Sequence, residues 1–140
     1  MADKRKQERK GETSAVCPCG GPAYAACCGR FIDAGALPPT APELMRSRYT
    51  AFVLRNEAYL RKTWCARNRP AGPLFEPPLP QWLGLEIVGD TQDGDAATVE
   101  FIARYKINGR AQKLHEVSRF LREHNDAGLA AWSYLDGQFR

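Results

Sequence analysis

No stretch of this chain stays apolar for the roughly 18 residues that a membrane-crossing helix needs, so no membrane insertion is expected. The opening segment MADKRKQERKGETS is charged, and no apolar core follows it, which argues against a secretory signal. The expected location is therefore the cytoplasm, where thiols stay reduced. Histidine is nearly missing. His115 and His124 are the only two, and with no second histidine beside it neither marks a catalytic base. An excess of one charge is also lacking: 20 Lys and Arg against 16 Asp and Glu leave +4, short of the clustered basic stripe of a nucleic-acid domain.

Cysteine is scarce everywhere except one place. VCPCGGPAYAACCGRF, residues 16–31, contains Cys17, Cys19, Cys27 and Cys28, and Cys65 is the only other. Three chemistries compete for such a cluster: a metal site, a disulfide framework and a redox centre. A reducing compartment disfavours the disulfides. Four thiolates satisfy zinc, which takes soft or borderline ligands in a tetrahedron. Pro18, Gly20, Gly21 and Gly29 suit a tight loop. So short a segment has no core of its own, and metal binding of about 10 kcal/mol supplies the missing folding energy. A filled four-thiolate shell implies a structural ion, not a catalytic one. Vicinal-dithiol redox chemistry at Cys27 and Cys28 is the alternative.

The rest of the chain divides by composition. Residues 1–14 read as a disordered basic tail with five Lys or Arg and three acids. Residues 15–31 form the finger, and 32–42, rich in Pro, Gly and Ala, a spacer expected to join it loosely to the larger domain. Thr40 and Glu43 form a capping-box pattern with Pro42 in the first turn, and Met45, Tyr49, Phe52 and Val53 recur at helical spacing, predicting a helix over 41–54. A break at Arg55 and Asn56 comes next, then a second short helix over 57–64. Five prolines between 68 and 80 predict a stiff surface loop.

From about residue 82 the period becomes two. Val99, Phe101, Ala103, Tyr105 and Ile107 share one face of a strand, and Thr98, Glu100, Ile102, Arg104 and Lys106 the other. Asp93-Gly94 and Asn108-Gly109 are hairpin signals, and NDAG, residues 125–128, is a further turn. Helices followed by a four-stranded antiparallel meander predict an α+β domain over 43–140, with helices packed on one face of the sheet.

CPCG…Y…CCG resembles the SEC-C motif, the zinc-binding segment at the C-terminus of the SecA translocase motor. Cys17, Pro18, Cys19, Gly20, Tyr24, Cys27, Cys28 and Gly29 all match, with one residue fewer between Cys19 and Cys27 than usual. The blocks LMRSRY and HEVSRF, with WLGLEI, VEFIARYK and WSYLDG, resemble the YchJ family of small bacterial proteins, in which a SEC-C segment precedes an NTF2-like domain. That resemblance implies one Zn(2+) per chain held by Cys17, Cys19, Cys27 and Cys28, and an NTF2-like cone of helices across a bent sheet. It implies no reaction. The family usually has a His where this chain has Cys65.

Within the cone, Glu116, Ser118 and Phe120 are expected on one strand face, as either a polar strip of a ligand site or a core lining. Arg104 is expected to pair with Glu116 across the Asn108-Gly109 hairpin. Arg46 and Arg48 stand as an anion-binding pair or as plain helix-surface arginines. Cys65 is expected half-buried and inert. Trp64, Trp82, Trp132 and Tyr134 are expected as core aromatics. The favoured function is a zinc-binding protein-interaction module, with a protein partner at the finger. Alternatives are an enzyme working in the cone through Glu116 with Arg104 or His115, and a ribosome- or nucleic-acid-associated protein.

Overall fold

The computed structural model describes residues 16–140, and the expected tail over 1–14 lies outside these. A loop bearing the four cysteines closes on itself through the bridge Val16–Ala23 and a 3-10 turn, Tyr24–Ala26. The short helix α1, Gly29–Ile32, leads out of it. Helix α2 spans Ala41–Leu54, the range its pattern predicts. Its capping contacts also form: the Glu43 amide donates to Thr40 Oγ1 at 3.3 Å, and the Thr40 hydroxyl donates to Glu43 Oε1 at 2.9 Å. Arg55 ends it in the left-handed region at φ 57°. Asn56 then caps α3, Glu57–Lys62, by accepting from the Tyr59 amide.

Four antiparallel strands come after the helices, in sequential order: β1 Gln81–Asp93, β2 Ala96–Ile107, β3 Arg110–His124 and β4 Ala130–Phe139. Strand β1 runs further than its pattern suggests, because pairing continues to Asp93–Ala96 and leaves only Gly94 and Asp95 in the turn. The second turn is the two-residue Asn108-Gly109, with φ of 52° and 78°, as its sequence requires. Register slips by one residue at Leu83, Val88 and Leu135. Such slips increase local twist and bend a sheet. Leu83 and Val88, about half exposed, are the extra residues at two of them.

The predicted alternation in β2 holds: Ala97, Val99, Phe101 and Ala103 are buried, and Arg104 and Lys106 are exposed. Helix α2 lies against β1, β2 and β4, and its burial is nearly continuous around the axis. Leu44, Met45 and Tyr49 join Val99, Phe101, Phe120 and Trp132 in the main core. A smaller cluster of Phe31, Ala51, Tyr59 and Leu60 lies under Leu74 and Phe75 of the proline-rich loop.

Two expectations about connection are corrected. The finger is not loosely tethered: Cys17, Cys19, Cys27 and Cys28 belong to the main core cluster. The spacer is pinned as well, by the Ala36 amide on Arg30 O at 3.0 Å and the Trp132 indole on Pro39 O at 3.3 Å. A loop too small for its own core gains one by packing on a neighbour. In addition, the second helix stops at Lys62, not 64. Residues 63–65 instead pair beside β4, with Cys65 N–H donating to Tyr134 O and Tyr134 N–H to Thr63 O, both at 2.8 Å.

Candidate metal centre

The loop chain reverses tightly at each cysteine. Cys17 N–H donates to Pro22 O at 2.9 Å, Gly20 N–H to Cys17 O at 2.8 Å, and Cys27 N–H to Tyr24 O at 3.0 Å. Gly20 has φ +93°, open to glycine at little cost. At Gly21 a Cβ would stand 2.7 Å from Cys27 Sγ, and at Gly29 one would stand 2.8 Å from Tyr24 O. Glycine is required at these two positions for space, since the sulfur and the carbonyl already occupy the place of a side chain.

These turns bring the four sulfurs within 4.8 Å of one another. Their residues are 2, 1, 8 and 1% exposed in chain order, and none is in a disulfide. The donor set is purely thiol, buried and convergent, which fits a soft or borderline metal ion held by all four. Cys19 and Cys27 Sγ lie 3.5 Å apart. As free thiols, Cys19, Cys27 and Cys28 hold their protons unequally. Cys19 is drawn down to about 5, first by a hydrogen bond from Cys28. Cys27 is pushed up to about 11 by burial, and Cys28 is raised by the same bond to Cys19 and by burial.

Helix α2 holds the loop from one side. Its Thr50 hydroxyl donates to Cys28 Sγ at 3.2 Å and lies 3.7 Å from Cys17 Sγ. Arg46 Nη1 donates to Cys19 O at 3.3 Å. Arg30 Nε donates to Cys27 O at 2.8 Å, with its guanidinium 3.7 Å from Glu43. Arg46 and Arg48 therefore do not form an anion-binding pair. Arg48 points to the opposite side of the helix, 3% exposed, and its Nη1 donates to Leu60 O at 2.8 Å and Thr63 Oγ1 at 2.7 Å. Its guanidinium carbon stands 5.0 Å from the Trp64 ring centre and 4.6 Å from that of Tyr134. Desolvation lowers it to about 10, still a cation at neutral pH.

In the cone, Glu116, Ser118 and Phe120 do share the inner face. Ser118 Oγ donates to Glu116 Oε2 at 3.0 Å, Tyr134 OH donates to the same oxygen at 3.4 Å, and the Phe120 and Tyr134 rings meet edge-on at 5.8 Å. Arg104 is not with them, which corrects the expected ion pair. The hairpin register sets Glu116 opposite Phe101, and Arg104 opposite Lys113. Inward positions are odd on β2 and even on β3, so Arg104 lies on the outer face, 3.8 Å from Glu86. His115 also faces outward and pairs with Glu100 at 2.7 Å. Cys65 is more buried than expected, at 3% exposed, and burial raises its thiol. It lines a 440 Å³ groove with Phe31, Tyr59, Trp64 and Trp132.

The chain matches the family described as "YchJ, middle NTF2-like domain" over residues 40–137. It belongs to the YchJ family. A UPF0225 protein of Cupriavidus metallidurans is 51% identical over 134 residues, covering 94% of each chain. Another from Streptomyces avermitilis is 50% identical over 129 residues, covering 89% of this chain and 85% of its own. Two solved SEC-C motif containing proteins share the fold. The one from Rhodopseudomonas palustris has a TM-score of 0.72 at 29% identity, covering 89% of this chain and 97% of that one. The one from Psychrobacter arcticus has a TM-score of 0.72 at 30% identity, covering 89% of this chain and 82% of that one. Both halves expected of this YchJ-type chain, a SEC-C cysteine loop and an NTF2-like α+β domain, are thus accounted for.

Thr50 and Arg30 are parts of the centre that residue patterns did not single out by role. The signal was available for one of them: Thr50 is a polar residue in a predicted helix where Met45, Tyr49, Phe52 and Val53 already mark the buried side.

Proposed function

We propose that this chain is a non-enzymatic, cytoplasmic zinc-binding interaction protein. One Zn(2+) per chain, on Cys17, Cys19, Cys27 and Cys28, closes the loop, and the exposed part of that loop receives a protein partner. The observation that carries the zinc reading is the convergence of four buried sulfurs within 4.8 Å. Four thiolates complete a tetrahedral shell and leave no position for a substrate. When bound, the ion supplies folding free energy to a loop that has little of its own.

The interaction reading is supported by what the two halves leave over. The charged groups of the cone interior are engaged by neighbours, Arg48 by Leu60 and Thr63 and Glu116 by Ser118 and Tyr134, while the buried Trp64 indole N–H has no hydrogen-bond partner among the described residues. On the loop, Val16 is 70% exposed beside the sulfurs. A partner docked on this turn would cover that apolar side chain.

Elemental analysis of freshly purified, reduced protein should give one zinc per chain, and metal-free protein would overturn the metal reading. For the partner, Val16→Asp should keep its zinc and lose whatever wild-type protein captures from cell extract. Unchanged capture would move the docking surface elsewhere. Nuclease treatment that abolishes capture would favour the ribosome or nucleic-acid alternative.

A further inference from the structure

We infer that Thr50 is a positioning residue of the metal centre, its hydroxyl fixing the sulfur cluster to helix α2 and tuning its hold on the ion. The inference rests on the zinc reading above and goes beyond it, because it takes a residue of the NTF2-like domain as part of the site. Thr50 is fully buried. A hydroxyl removed from water is costly unless it is bonded, and here the neighbours it meets are sulfurs, Cys28 Sγ at 3.2 Å and Cys17 Sγ at 3.7 Å. Four thiolates around a divalent cation carry two net negative charges. Buried in a core of Leu44, Tyr49, Phe101 and Trp132, that charge is stabilised by whatever donors reach it.

The donors are arranged by helix geometry. Glu43, Arg46 and Thr50 are spaced by three and four residues, so they share one face of α2. Along that face Glu43 meets Arg30, Arg46 meets Cys19 O and Thr50 meets Cys28 Sγ. Thr50 is the member of this row that touches sulfur directly. With all four sulfurs deprotonated on the ion, its single proton points to Cys28. Such an O–H···S bond lowers the energy of the thiolate electrons and fixes the sulfur's direction. Loss of this kind of outer contact typically weakens metal binding by about 10–100-fold.

The test compares wild type, Thr50→Val and Thr50→Ser. Valine keeps the shape and removes the donor, and serine keeps the donor. Chelator competition should show Thr50→Val binding zinc about 10–100-fold more weakly, with Thr50→Ser close to wild type. In the cobalt(II)-loaded proteins, the sulfur-to-metal charge-transfer band of Thr50→Val should move to longer wavelength, because a thiolate without its donor releases an electron more easily. Thr50→Ser, which leaves a methyl-sized gap but keeps the donor, should leave the band in place. If Thr50→Val does not fold, cadmium-loaded wild type decides: the Thr50 hydroxyl proton should show through-bond coupling to the metal, and its absence would overturn the inference. Wild type that holds zinc while Thr50→Val matches it in affinity and spectrum overturns this inference alone. Wild type without zinc overturns the metal reading and this one with it.

Discussion

Gly137 passes directly beneath the Glu116 carboxylate, so closely that a Cβ at 137 would overlap Glu116 Oε2 and crowd Tyr134 OH. The neighbours are a strand backbone on one side and the Ser118 and Tyr134 donors on the other. Gly137→Ala should therefore displace Glu116 and break its two hydrogen bonds. Overpacking of this kind costs about 1–3 kcal/mol, to be read from the urea midpoint. Zinc content should not change, since the sulfurs lie elsewhere. A variant as stable as wild type would show that Glu116 has room to move.

Arg48 is clasped between Trp64 and Tyr134 and holds the carbonyl of Leu60 and the hydroxyl of Thr63. Lysine keeps the charge but lacks the flat fork that stacks and bonds together. Arg48→Lys should cost about 2 kcal/mol, the scale of a hydrogen bond to a charged group. It should also loosen residues 63–65 from β4, which amide exchange at Cys65 would report. Unchanged protection at Cys65 would refute the clasp.

Gly21→Ala places a methyl 2.7 Å from Cys27 Sγ. A sulfur fixed by a metal cannot retreat, so the loop must open. Zinc stoichiometry in the purified variant should fall, and its melting temperature with it. Full zinc at wild-type affinity would mean that the loop has a second way to close.

Metal removal should be felt by the whole domain, because the cysteines share one core with Tyr49, Phe101 and Trp132. At free zinc a thousandfold above its dissociation constant, binding contributes about 4 kcal/mol. Chelation should lower the thermal midpoint of a single transition, followed together by tryptophan fluorescence and far-ultraviolet ellipticity. Two separate transitions, with only the loop melting first, would restore the loosely joined arrangement.

Alkali should unfold the protein through its buried phenols. Burial raises Tyr59 and Tyr134 to about 12, from an ordinary value of 10.0. Their raised values favour the folded state fully below pH 10. Above that, the unfolded chain loses phenolic protons that the folded one keeps, so stability falls as pH rises towards 12. Phenolate absorbance should show these two tyrosines ionising together with loss of ellipticity. Their ionisation at pH 10 in a still-folded protein would contradict the burial.

Much of this architecture can be read in the residues themselves. The Thr40–Glu43 cap, the Asn108-Gly109 turn and the alternation of β2 are local signals, and each appears where its pattern puts it. The contents of the metal loop are equally local, since four cysteines within twelve residues have little choice but to meet. What the pattern hides is long-range. The Thr50–Cys28 contact joins residues 22 apart, and the pairing of 63–65 with Tyr134 spans about half the chain. The separation of Arg104 from Glu116 is of another kind. The two-residue turn at Asn108-Gly109 fixes which residues oppose each other, and parity alone places Arg104 and Glu116 on opposite faces. Attraction between opposite charges does not bring together residues that the strand register sets on opposite faces.

The depth of the sulfurs also sets a clock. With Cys19 and Cys28 each 1% exposed and Thr50 closing the inner side, a chelator or receiving protein would reach a bound ion only once the loop opens. Exchange then runs at the rate of that opening and becomes independent of competitor concentration once the competitor is in excess. Because the loop shares the domain core, opening it disturbs far more than sixteen residues. A metal bound under such control would be acquired during folding and exchanged slowly, unlike one held at a site that ferries metal or reports its supply.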